Sequence, residues 1–374
     1  MSSYIHQLPE WPNFTWKQER VAERLVSIHY AQGRLLGRME ALGFQLQEEA
    51  TLATLTADVV KTSEIEGENL DPEQVRSSVA RRLGMDIAGL RPSDRYVDGV
   101  VEMMTDATRN YEHSLTAERL FYWHAALFPD ADSGMKKLKA GEWRGDEHGA
   151  MQVVSGSLGR ERVHFQAPDA GRLEIEIQAF LGWFNGANQA DWVVKAALAH
   201  LWFVTIHPFD DGNGRIARAI ADLALARSEN TWDRFYSMSS QIRQERAAYY
   251  NILEQTQRGE MDVTPWMEWF FDCLRRAIEG SESMLGGVLQ KAKFWESAGH
   301  ISLNDRQRKM LNLLWEGFQG ALTTSKWAAL TKSSQDTAGR DIASLVELGV
   351  LARNPQGGRG TSYRIAQPDE RRDF

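Results

Sequence analysis

The sequence predicts a mainly α protein, and three observations carry that reading. Apolar residues recur at helical spacing over most of the chain. Only two stretches, 151–165 and 351–365, look like short strands joined through glycine-containing turns. The second of these follows three short helices, and helix, helix, helix, hairpin is the pattern of a winged helix. A length of 374 residues suggests two or three domains. The divisions read as an N-terminal helical extension (1–110), a central helical domain (111–285), and a linker with a winged-helix module (286–374).

Each element has a local reason. Trp11, Pro12, Phe14 and Trp16 form an aromatic plug ahead of a long helix. Val21, Leu25, Ile28, Leu35, Leu36, Met39 and Leu42 give that helix one apolar face, and Gly43 is its natural stop. A second helix spans 48–66 and ends at Gly67. Its last turn holds Glu64 and Glu66 at the negative end of the helix dipole, so something must compensate them. Asp71 and Pro72 make a helix start, as cap and first helical residue. Helices follow over 93–110 and from Thr116, whose helix carries Leu120, Trp123, Leu127 and Phe128 up to Pro129.

The first hairpin pairs 151–155 with 162–165 around Gly156-Ser157-Leu158-Gly159. Apolar helices at 192–206 and 216–227 then flank a short polar loop. In 239–259, Tyr249, Leu253 and Gln257 fall on one helical face. The run 264–278 is an aromatic helix, and 289–303 reads as a connector. Helices at 307–317, 325–330 and 334–348 precede strands at 351–353 and 362–365, which flank the turn 357–360.

The loop His207-Pro208-Phe209-Asp210-Asp211-Gly212-Asn213-Gly214-Arg215 concentrates the chemistry. Pro208 disfavours helical geometry at His207, so the incoming helix ends there. Gly212 and Gly214 permit positive φ and close ligand approach. The next helix starts at about Asn213, and a helix N-terminus behind a glycine turn suits an anion. Arg215 and Arg218 share a face at that end, which suits two or more phosphates. Asp211 offers a hard oxygen for Mg²⁺ beside substrate phosphates. His207 is the nearby group able to take a proton near neutral pH.

The run from His207 to Arg218 is similar at every defined position to the HPFx[D/E]GNGRxxR signature of the Fic family. The resemblance implies a Fic-type helical bundle that moves AMP from ATP onto a protein hydroxyl, on a Tyr, Ser or Thr of a target or of the protein itself. It implies His207 as base and Asp211 as the Mg²⁺ ligand. It implies Gly212, Asn213 and Gly214 as an anion hole, with Ile216 and Ala217 in the same helix turn. Arg215 would contact nucleotide phosphates, Arg218 would bind the γ-phosphate, and Phe209 would anchor the loop. Thr62 to Gly67 resembles the family's inhibitory motif, [S/T]xxxE[G/N], with Glu66 pairing with Arg218. The hairpin resembles the family's flap, placing Val153, Val154, Ser155 and Gly156 nearest the nucleotide and a target segment along the strand. Tyr249 and Gln257 would line the adenine or ribose pocket; a core role for the tyrosine is the alternative.

A net charge of −8 argues against a generally nucleic-acid-binding surface. Residues 301–374 nevertheless hold eleven Lys and Arg against eight Asp and Glu, with Arg340 on the would-be recognition helix. DNA and a second copy of the chain are both candidate partners of that module. The single cysteine, Cys273, fits a buried thiol and a reducing cytoplasm. No membrane-spanning run or signal peptide is read. A nucleotide-sensing DNA-binding regulator and removal of AMP by the same site, with Glu66 orienting water, stand as alternatives. Metal-dependent hydrolysis through His200 and His207 fits less well, because the proline break turns His207 off the His200 face.

Overall fold

A computed structural model describes residues 4–40, 44–85, 90–130, 139–147, 149–156, 160, 162–186, 190–298, 301–315, 318, 320–354 and 361–366. Gly43 and the turn residues 157–159 and 357–360 lie outside them. The chain divides into two compact units, 1–282 and 283–374.

The first unit is helical with one hairpin. Its elements in order are α1 (Gln18–Glu40), α2 (Phe44–Ile65), α3 (Pro72–Leu83), α4 (Arg95–Arg109), α5 (Ala117–Leu127), β1 (Gln152–Ser155), β2 (Arg162–Gln166), α6 (Leu173–Asn185), α7 (Trp192–Ile206), α8 (Asn213–Glu229), α9 (Met238–Gln244) and α10 (Arg246–Gln257). The next helix, α11 (Thr264–Ser297), begins in this unit and ends in the second.

The core is centred on α7 and α8, which pack on each other. Every residue of α7 from Val193 to Ile206 is buried, so this helix is enclosed on all sides, with Lys195, His200 and Thr205 as its buried polar residues. Around it, α8 contacts α2, α4 and α5. The aromatic plug closes one side: Trp11 and Phe14 meet Trp202 edge-on, and Trp11 Nε1 donates to Glu176 Oε2 at 2.8 Å.

Caps fix the helix starts. Asp71 accepts from the Glu73 amide with Pro72 in the first turn, and Asp94 and Thr116 cap α4 and α5. The end of α2 is a Schellman turn, in which the Glu68 amide bonds the Ser63 carbonyl at 3.0 Å and Gly67 has φ 90°. That glycine is needed for its left-handed conformation.

The second unit contains α12 (Asp305–Trp315), α13 (Thr324–Thr331), α14 (Gln335–Glu347), β3 (Leu351–Arg353) and β4 (Tyr363–Ile365). Strands β3 and β4 pair antiparallel, and Leu322 bridges to Tyr363. Thr323 and Ser334 cap α13 and α14. Met310, Leu311, Trp327, Ile342, Leu345 and Leu351 form its core. This is the winged-helix order.

One expectation is corrected. The connector expected over 289–303 is helical as far as Ser297, because α11 continues. Gln290, Lys291, Ala292 and Lys293 are good helix formers without a proline to stop them, and Phe294 is buried in the winged-helix core. The stretch 239–259 holds two helices, α9 and α10, which meet at Glu245, whose φ of −104° and ψ of 23° leave the helical region; Tyr249, Leu253 and Gln257 share α10.

Candidate active site

The site is built where α7 gives way to α8. His207 ends α7 in the left-handed conformation, φ 51° and ψ 58°, with its amide bonded to the Phe203 carbonyl at 2.9 Å. A non-glycine residue there carries strain of order 1–3 kcal/mol that its surroundings must hold. Three contacts do so. Asn213 bridges the loop, accepting from the Phe209 amide at 3.0 Å and donating to the Phe209 carbonyl at 2.8 Å. Phe209 is fully buried and stacks on His124, with ring centroids 4.1 Å apart. Arg144, also buried, donates to the His207 carbonyl at 2.7 Å and the Pro168 carbonyl at 2.5 Å, while its amide bonds the Pro208 carbonyl. Sequence reasoning does not find Arg144, because nothing local marks an arginine that clamps carbonyls 24 and 63 residues away.

His207 Nδ1 lies 3.2 Å from the Val204 carbonyl. A carbonyl only accepts, so Nδ1 carries the proton and Nε2 keeps a lone pair. Burial pushes the imidazole pKa down to about 4, outweighing the opposing hydrogen bond to Val204. His207 is therefore a neutral base at ordinary pH.

Gly212 caps α8 at φ 80°, and its amide bonds Asp211 Oδ1 at 2.6 Å. The Asp211 side chain is 64% exposed, so it is open to a cation. Among the described residues no group of three or more His, Cys, Asp or Glu could hold a metal. One exposed carboxylate beside a phosphate cradle fits Mg²⁺, which keeps waters and binds chiefly through substrate phosphates.

Arg218 is buried and shared between two helices. Its Nε donates to Thr62 Oγ1 at 2.7 Å, and its Nη2 donates to the Thr62 carbonyl at 2.9 Å and to Glu66 Oε1 at 2.7 Å. Arg246 Nε donates to the Ile65 carbonyl at 2.7 Å. These two cations compensate the crowded negative end of α2. Burial alone would raise the Glu66 carboxyl, but the charge and hydrogen bond of Arg218 hold it below the usual range. Gly214 admits the carboxylate: a Cβ there would come within 2.3 Å of Glu66 Oε1. Arg218 Nη1 is buried and has no hydrogen-bond partner among the described residues, so a donor remains for an incoming anion.

A cavity of about 460 Å³ opens beside this cluster. Of the residues singled out from sequence, Glu66, Val153, Val154, Ser155, His207, Gly214, Tyr249 and Gln257 line it. Asp211, Gly212, Asn213, Arg215, Ile216, Ala217, Arg218 and Gly156 are not part of its lining. Arg215 is turned aside and buried, with Nη1 donating to Glu68 Oε2 at 2.9 Å and to the Tyr96 hydroxyl. Ile216 and Ala217 are core residues. The Tyr249 hydroxyl is 2.8 Å from Nε2 of buried His200, and Gln257 Nε2 donates to Thr205 Oγ1 at 3.3 Å. Both therefore have core partners as well as cavity faces. Burial pushes His200 down to about 3, with the Arg218 charge acting in the same direction.

The loop, the hairpin and the helical scaffold agree with comparisons to known proteins. Residues 114–225 match the Fic/DOC family model, residues 4–85 match a domain of unknown function (DUF4172), and residues 306–359 match a DeoR-like helix-turn-helix domain. A solved Fic family protein from Desulfovibrio desulfuricans has the same fold at a TM-score of 0.52 and 21% identity, covering 95% of this chain and 98% of that one. The chain thus carries a Fic-family domain joined to a helix-turn-helix module. Relatives named protein adenylyltransferase Fic include one from Culex quinquefasciatus, 26% identical over 58% of this chain and 39% of its own length. Another, from Drosophila mojavensis, is 32% identical over 34% of this chain and 25% of its own length. The chain therefore spans well under half the length of these relatives. Among the described residues no helix is long and apolar enough to cross a membrane.

Proposed function

We propose that this protein is an adenylyltransferase that moves AMP from ATP to a hydroxyl of a protein, and that Glu66 restrains it. The observation that carries the reading is the neutral imidazole of His207, held at the mouth of an anion cradle whose arginine is engaged by Glu66. His207 Nε2 takes the proton of the incoming hydroxyl. The oxygen then bonds to the α-phosphorus, the bridge to the β-phosphate breaks, and pyrophosphate leaves with the electron pair. Gly212, Asn213, Gly214 and the start of α8 hold phosphate oxygens. Asp211 would hold Mg²⁺, which would supply charge neutralisation at the phosphates.

Arg218 takes the γ-phosphate once Glu66 releases it, and Arg215 reaches phosphate only by leaving Glu68. Val153, Val154, Ser155 and Gly156 border the nucleotide, while Tyr249 and Gln257 border the base or ribose. The acceptor is a Tyr, Ser or Thr of a target lying along β1, or of the protein itself. The same Glu66 could orient water for the reverse reaction, removal of AMP. In this reading 1–110 is the regulatory extension, 111–285 the catalytic domain and 286–374 the partner-binding module, for DNA or a second copy, in a cytoplasmic protein. The test is incubation of the Glu66→Gly protein with α-labelled ATP and Mg²⁺ in lysate. Labelled protein bands are expected; no band above the His207→Ala control would remove the reading.

A further inference from the structure

The hairpin carries an arrangement that the adenylyl-transfer chemistry above does not use. The register of β1 and β2 slips between Val153 and Val154, whose partners are Phe165 and Val163. His164 is the extra residue of this bulge, and bulges beside active sites re-aim side chains. Its ring meets two groups at once. Nε2 is 2.5 Å from Ser155 Oγ, and Nδ1 is 2.6 Å from Glu254 Oε2 on α10. An ionised carboxylate only accepts, so Nδ1 carries a proton, and in the neutral imidazole Nε2 accepts from the Ser155 hydroxyl. Arg162 donates to Glu254 Oε1 at 2.7 Å, and Arg258 donates to the carbonyls of Val163 and His164. Together they fix the carboxylate and the backbone of the bulge. Ser155, His164 and Glu254 all line the cavity that His207 lines, and Ser155 is exposed to it.

A hydroxyl bonded to an imidazole that is oriented by a carboxylate is an activated nucleophile. We propose that Ser155 is an acceptor for the protein's own adenylyl transfer, with His164 as its base and Glu254 orienting His164. The inference rests on the adenylyltransferase reading. As Ser155 Oγ bonds to the α-phosphorus of ATP, its proton passes to His164 Nε2. The α–β bridging P–O bond breaks, and pyrophosphate leaves with the electron pair. The product carries an adenylyl group on the flap strand beside the cavity, which blocks the edge a target would use.

Two measurements on the full-length chain test this. The first needs neither nucleotide nor metal. An alkyl fluorophosphonate forms an O–P bond with an activated serine as its P–F bond breaks. Peptide mapping is expected to place the adduct on Ser155, formed ~10²-fold or more slowly in His164→Ala and also slowed in Glu254→Gln. No adduct at Ser155 in the wild-type protein overturns the activation. The second maps the adenylyl adduct on the Glu66→Gly protein after incubation with ATP and Mg²⁺. An adduct on Ser155 that is lost in the Ser155→Ala, Glu66→Gly double variant and restored on the new hydroxyl by Ser155→Thr supports the proposal. Labelling of other proteins with none on Ser155 overturns it while leaving the adenylyltransferase reading intact. No labelling of any protein overturns both.

Discussion

Glu66 and Arg218, 152 residues apart, meet at 2.7 Å, with the arginine buried and the carboxylate less than a third exposed. The pair joins the C-terminal turn of α2 to the first turns of α8, so the state of one helix end sets the charge free at the other. Glu66→Gly leaves Arg218 its bonds to Thr62 but removes its anionic partner. Initial labelling rates with ATP and Mg²⁺ should rise at least ~10-fold over wild type, a modest share of what breaking a partly buried pair can cost. The double variant with His207→Ala should lose the gain. Equal rates for wild type and Glu66→Gly across all lysate targets would reduce the contact to a helix-end ion pair.

His207→Ala should slow transfer by ~10²–10⁴ while nucleotide affinity, measured by calorimetry, changes little. The pH profile offers a second check. Because burial holds His207 at about 4, below the ordinary histidine value, the base stays unprotonated from pH 8 down past 6. The acid limb of kcat/KM, which reports the free enzyme, is expected below pH 6 in the Glu66→Gly protein. A limb centred on an unshifted histidine would take His207 out of the base role.

Arg144 holds carbonyls of the strained loop from the far side. Arg144→Met keeps much of the apolar stem and leaves those carbonyls without a charged donor. The loss should lower stability by ~2–4 kcal/mol and slow transfer as His207 relaxes. Thermal unfolding and single-turnover rates check it together. An unchanged melting temperature would mean that the loop holds its geometry without the clamp.

Asp58, buried on the inner face of α2, accepts from the Ser237 hydroxyl at 2.6 Å. Burial first, then the charge of Asp222, raise its carboxyl to about 7. The folded protein then binds this proton more tightly than the unfolded chain, so stability falls as pH rises from about 4 to about 7 and levels off above. Asp58→Asn removes that titration. Its melting temperature relative to wild type should be more favourable at about pH 8 than at about pH 5. An equal difference at both values would show that Asp58 does not titrate in this range.

In the winged-helix unit, Arg340 is exposed on α14, with Nε donating to the Asp336 carbonyl at 3.4 Å. If that helix reads DNA, Arg340→Ala should weaken retention of a selected duplex by about 1–3 kcal/mol. A random-DNA selection that enriches no sequence with the wild-type protein would leave the unit as a packing or dimerisation module.

Local rules settle much of this protein from sequence. Asp71 with Pro72, Thr116 and Gly67 mark helix ends because caps and left-handed glycines act within a few residues. The loop from His207 to Arg215 is legible for the same reason: its base, carboxylate, glycines and arginine are consecutive, so their chemistry needs no tertiary knowledge to name. Helical periodicity gives the α class, and the helix, helix, helix, hairpin order gives the winged helix. Periodicity fails at 289–303, where no turn signal decides between linker and helix. Only the tertiary structure decides which partners these groups meet. It turns Arg215 toward Glu68 and Tyr96, sets Arg144 beneath His207, and brings Glu254 to His164 across ninety residues. Those contacts depend on how separate helices pack and on a one-residue bulge, and neither leaves a pattern in the chain near the residues concerned.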